Sequence, residues 1–127
     1  MSLNTENNID SKAIHDSNVR SNSRIAALNN RICYISCAAE TIVVFDSKYN
    51  VVFKFKDECL FRYPNGLAID HNGFLYVSAR QYEDIVVIDP DKKEVRAFPS
   101  TKDKSGKPSL VLYDRYRNQL IIVINYS

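Results

Sequence analysis

The chain has 127 residues, 45% of them hydrophobic, and a formal charge of +2. That suffices for one domain with a core, and the charge is too balanced for bulk electrostatics to argue for nucleic acid. No run of about eighteen apolar residues is present, so no membrane span is expected.

Residues 1–22 are rich in Asn and Ser, with few large apolar groups, and begin without the basic and apolar regions of a signal peptide. Such a segment buries too little surface to offset its ordering entropy, so a disordered tail is expected. From Arg24 the pattern changes to short apolar runs. Arg24-Ile25-Ala26-Ala27-Leu28, Ile32-Cys33-Tyr34-Ile35-Ser36 and Ile42-Val43-Val44-Phe45-Asp46 read as three strands. Residues 51–56 alternate as a half-exposed fourth strand would.

The next segment repeats this order more clearly. Residues 66–70 form an apolar run closed by Asp70-His71-Asn72-Gly73, and Asn-Gly is a pair that tight hairpin turns favour. Residues 74–78 return as a strand rich in aromatic and β-branched groups. Residues 85–88, Ile-Val-Val-Ile, suit a strand buried on both faces; Asp89-Pro90-Asp91 starts a turn, and residues 94–98 suit an outer strand.

Tyr34-Ile35-Ser36 matches Tyr76-Val77-Ser78 at an offset of 42, and Val43-Val44-Phe45-Asp46 matches Val86-Val87-Ile88-Asp89 at 43. A third copy begins at Pro108: residues 110–114 match 66–70, residues 115–118 form its turn, and residues 120–124 are its second strand. A period of about 40–45 residues with four strands per repeat is the pattern of a β-propeller. The expected architecture is therefore all-β. A disordered tail over 1–22 precedes consecutive four-stranded antiparallel units of an incomplete propeller over 23–127, with repeats at 24–56, 64–99 and 108–127.

Few residues carry obvious chemistry. Asp46, Asp70, Asp89 and Asp114 recur at strand ends, where a carboxylate caps a turn by accepting backbone N–H groups. Ser36 and Ser78 lack a nucleophile elbow, so no catalytic residue is expected. Cys33, Cys37, Cys59 and His71 lack the paired close spacing of zinc ligands, so neither a metal site nor a cofactor is expected. An odd cysteine count without a secretion signal fits a reduced, cytoplasmic setting. The candidate binding residues lie in linkers expected to share one rim: Arg62, Tyr63, Arg80, Tyr82, Lys102 and Lys104, with Lys107 beside them. Arginine and tyrosine are common interface anchors, and a mix of basic and aromatic groups also suits single-stranded RNA.

Pro64-Asn65-Gly66-Leu67-Ala68-Ile69-Asp70, Asn72-Gly73-Phe74-Leu75-Tyr76-Val77-Ser78 and Ile85-Val86-Val87-Ile88-Asp89 together resemble the NHL-repeat family of β-propellers. They also resemble the wider six-bladed group that includes gluconolactonase-like hydrolases. Ala79 and Cys37 stand where family repeats carry Asp. The NHL resemblance implies a non-enzymatic scaffold with a protein partner. A single-stranded RNA-binding surface and a fragment of a metal-dependent hydrolase are the alternatives. An uncovered strand such as residues 120–124 is expected to favour self-association through open blade edges.

Overall fold

The computed structural model describes residues 9–17, 19, 23–36, 39–57, 64–79, 84–98 and 106–125. Among them there is no helix, and so none long and apolar enough to cross a membrane. Ten strands form three antiparallel sheets. The first has the order β1 (Arg24–Leu28), β2 (Arg31–Ser36), β3 (Thr41–Phe45), β4 (Val51–Lys56). The second has the order β5 (Pro64–Ile69), β6 (Leu75–Ala79), β7 (Ile85–Asp89), β8 (Glu94–Phe98). The third pairs β9 (Lys107–Asp114) with β10 (Gln119–Asn125). Each sheet meanders in chain order, and β5 packs between β1 and β9. This is an incomplete β-propeller of two four-stranded blades and a two-stranded third.

The blades are held by apolar faces. Cys33, Ile35, Ile42, Val44 and Phe53 of the first meet Leu67, Ile69, Leu75, Val77, Val86 and Ile88 of the second. The other face of the second blade offers Ala68, Ile85 and Tyr76, against which Val111, Tyr113, Leu120 and Ile122 of the third pack. β7 is therefore buried on both sides, which is why its sequence is continuously apolar. β8, the outermost strand of its sheet, is exposed throughout.

One repeat match shifts by a residue. Tyr34 pairs with Val43, while Val77 pairs with Val86, so the positional equivalent of Tyr34 is Val77 and not Tyr76. Ile32 opposite Phe45 and Leu75 opposite Ile88 keep the same spacing. A one-residue slip exchanges faces. Tyr34 therefore points away from the second blade, whereas Tyr76 points to the third.

The turns account for a composition with only three glycines. All four recurrent aspartates cap turns through Oδ1. Asp46 accepts from the backbone N–H of Lys48 and Asn50, Asp70 from those of Asn72 and Phe74. Asp89 accepts from those of Asp91 and Lys92, and Asp114 from those of Tyr116 and Arg117. Gly73 takes the left-handed position of its turn at φ 88°, and Asn72 stays out of that region. The bonds from Gly73 N to Asp70 O and from Asp70 N to Phe74 O mark a three-residue hairpin loop. Elsewhere Asn29, Glu40, Tyr49, Lys93 and Asn118 occupy positive φ. A side chain there costs about 1–2 kcal/mol. Lys93 is exposed, so Lys93→Gly is expected to raise stability by about 0.5 kcal/mol after the extra entropy of the unfolded glycine. A higher urea midpoint at constant slope checks this.

Candidate functional site at the strand-start end

The three innermost strands, β1, β5 and β9, begin at one end of the molecule and bring Arg24, Asn65 and Lys107 around a cavity of about 470 Å³. Pro108, Ser109, Leu110 and Asn125 complete its lining. Arg24 is anchored: its Nε donates to Asn65 O at 2.8 Å and its Nη1 to Ser23 O at 3.1 Å. Ser78 Oγ lies 3.4 Å from Ser109 O, linking the second blade to the third beneath the cavity. The lining holds two cations, two amides and a hydroxyl, and no carboxylate. Such a set favours a negatively charged group, because Arg and Lys supply donors and charge while Asn and Ser add neutral hydrogen bonds.

Arg62, Tyr63, Arg80, Tyr82, Lys102 and Lys104 lie outside the described residues. The residues that flank them are informative. Pro64 pairs with Ala79 and Ile85 with Phe98, so the chain enters and leaves the second blade on the same end as the cavity. Lys107 is described and lines the cavity. Arg24, Asn65, Ser109 and Asn125 were not legible as site residues. The available signal was that Arg24 and Lys107 each open the first strand of a repeat.

The opposite end is a set of struts. Asp70 is 8% exposed, and its Oδ2 accepts a 2.8 Å bond from Tyr76 Oη. Burial, and then the bond and charge of Asp70, push the Tyr76 phenol well above its ordinary value. With both carboxylate oxygens engaged, Asp70 is a structural cap. Tyr113 Oη donates to Asn118 Oδ1 at 2.6 Å, and His71 Nδ1 lies 2.5 Å from the same Oη, tying the turn of the second blade to the third. Cys33 is fully buried, and burial pushes its thiol up to about 12, so it packs and is not a thiolate nucleophile. Among the described residues no three His, Cys, Asp or Glu side chains converge as metal ligands. Cys37 and Cys59 lie outside those residues.

Meandering four-stranded blades around a common set of inner strands define a propeller segment, and solved structures agree. A streptogramin B lyase matches with a TM-score of 0.55 and 16% identity, over 75% of this chain and 30% of that one. A catalytically inactive virginiamycin B lyase from Staphylococcus aureus, solved with quinupristin, matches at 0.55 and 18%, over 80% and 34%. A luciferin-regenerating enzyme matches at 0.55 and 23%, over 78% and 35%. The chain thus spans about a third of the length of each, and at these identities the likeness concerns the fold. No family model and no curated protein matches the sequence.

Proposed function

We propose that the chain is a non-enzymatic interaction module of an NHL-like propeller, cytoplasmic in setting, whose cavity at the strand-start end receives an acidic segment of a protein partner. The observation that carries this reading is the lining itself: Arg24 and Lys107 with Asn65, Asn125 and Ser109, and no carboxylate among them. A protein partner is favoured over single-stranded RNA because the described lining is cationic and amide-bearing, with no aromatic side chain among the described lining residues to serve as a base-stacking platform.

The test is titration of the full chain with a short glutamate-rich peptide and, separately, a single-stranded oligonucleotide of equal charge. The peptide is expected to bind, more weakly as salt rises, and Lys107→Glu should lower its affinity by about ten-fold by placing like charge at the mouth. Tighter binding of the oligonucleotide would replace this reading with the RNA-binding one. Lactone hydrolysis that depends on an added divalent cation would replace it with the hydrolase.

A further inference from the structure

The first blade has a face with no described sheet against it. Ile25, Ala27, Ile32, Tyr34, Val43 and Phe45 lie on the side opposite the cluster shared with the second blade. Their counterparts in β6 and β7, Leu75, Val77, Val86 and Ile88, are covered by the first blade. An uncovered blade face is what the third blade shows: Leu110, Leu112, Ile121 and Val123 are 52%, 62%, 43% and 51% exposed. On the first blade the face divides: Ile25 of β1 is 71% exposed, whereas Val43 and Phe45 of β3 are 5% and 6% exposed.

Described residues of the stretch expected to be a disordered tail lie on that face. Tyr34 Oη donates to Asp16 Oδ2 at 2.8 Å, and the Tyr34 ring stacks on Phe45 with centroids 5.8 Å apart. Lys12 Nζ sits 5.2 Å above the Tyr49 ring, at the turn between β3 and β4. Lys12, Ile14, Asp16 and Val19 share a largely apolar cavity of about 320 Å³ with Ile25 and Tyr34. Val19 N donates to Asp16 O at 3.3 Å, turning the chain back toward β1.

We infer that the segment carrying Lys12, Ile14, Asp16 and Val19 is a docked cap over β2 and β3 on the outer face of the first blade, beside the exposed Ile25 of β1. Three attachments of different chemistry hold it. A phenol–carboxylate bond fixes Asp16, a cation over an aromatic face fixes Lys12, and Ile14 and Val19 line the apolar cavity they share with Ile25 and Tyr34. Burial, followed by the Asp16 bond and charge, raises the Tyr34 phenol to about 12. The described residues of the segment shield this apolar surface without strand structure, and β1 remains free to keep Arg24 at the cavity.

Tryptic digestion of the full chain tests this, with cleavage after Lys12 compared with cleavage after Lys48, an exposed turn residue of the first blade. Asp16→Ala and Tyr34→Phe should each speed cleavage after Lys12 by about ten- to a hundred-fold, the loss expected when one hydrogen bond to a charged group is removed. The double variant should be no faster than the faster single one, because both changes delete one bond. Binding of a hydrophobic dye should rise in the same variants as the face opens. Three outcomes overturn the inference. One is an unchanged rate after Lys12 in all variants, the second is rate increases that multiply in the double variant, and the third is a rise after Lys48 in step with Lys12.

Discussion

Gly66→Ala is expected to destabilise the chain by about 2–3 kcal/mol, the range of an overpacked core. A Cβ on Gly66 would stand 2.9 Å from Ser78 Oγ, 2.9 Å from Val111 N and 3.0 Å from Val111 Cγ1. The serine belongs to the adjacent strand and is itself buried, so it has little room to turn. The other two atoms belong to β9, and relieving them requires the backbone of the third blade to move away from β5. That movement would loosen Val111 against Ala68 and Ile85 and displace Lys107 and Ser109 from the cavity. Gly73→Ala provides the contrast. Its Cβ meets nothing within 4 Å, so only the positive φ of 88° opposes it, at about 1 kcal/mol. Chemical unfolding of the two variants beside the unaltered chain decides the matter: equal losses would mean that Gly66 is kept for its backbone freedom and not for the close approach of β9.

Gly66 also shows what a single chain can reveal about itself. Pro64-Asn65-Gly66 is recognisable as the start of a repeat, but the reason for its glycine is a strand that arrives only after β8. Local features were legible because their causes are local. An aspartate at a strand end beside backbone donors caps a turn wherever it occurs, and Asp46, Asp70, Asp89 and Asp114 all do so. The continuous apolar run of β7 told that it is buried on both faces, whereas the equally apolar run of β10 is covered on one face only among the described residues. Faces were harder. Tyr34-Ile35-Ser36 and Tyr76-Val77-Ser78 look alike, yet the pairing of β2 with β3 puts Tyr34 on the outer side of its blade. Residue identity cannot report a one-place shift in register, since only the partner strand defines it. The cavity was illegible for a related reason: Arg24, Asn65 and Asn125 are unremarkable until three strand starts and one strand end are brought together.

The same register decides where to intervene on self-association. Residues 120–124 read as five consecutive apolar positions, any of which would serve for a charge intended to block pairing with another chain. In the structure they divide. Leu120 and Ile122 face the second blade, packed against its cluster with Val111 and Tyr113, while Ile121 and Val123 face outward beside Leu110 and Leu112. We expect concentration-dependent association of the chain, because these four outward side chains form one contiguous apolar face beside the β10 edge. Leu112 is 62% exposed, so Leu112→Lys should leave stability within about 0.5 kcal/mol and weaken association by at least about ten-fold. Ile122→Lys places an ammonium between two blades with no carboxylate among the residues of that cluster, and should cost about 2–4 kcal/mol of stability. Sedimentation across a range of concentrations separates the two effects from unfolding measurements. A chain that stays monomeric at every concentration would show that the outward face is not adhesive in water. Unchanged stability in Ile122→Lys would show that β10 presents its other side to the second blade, and the whole third-blade register would have to move by one residue.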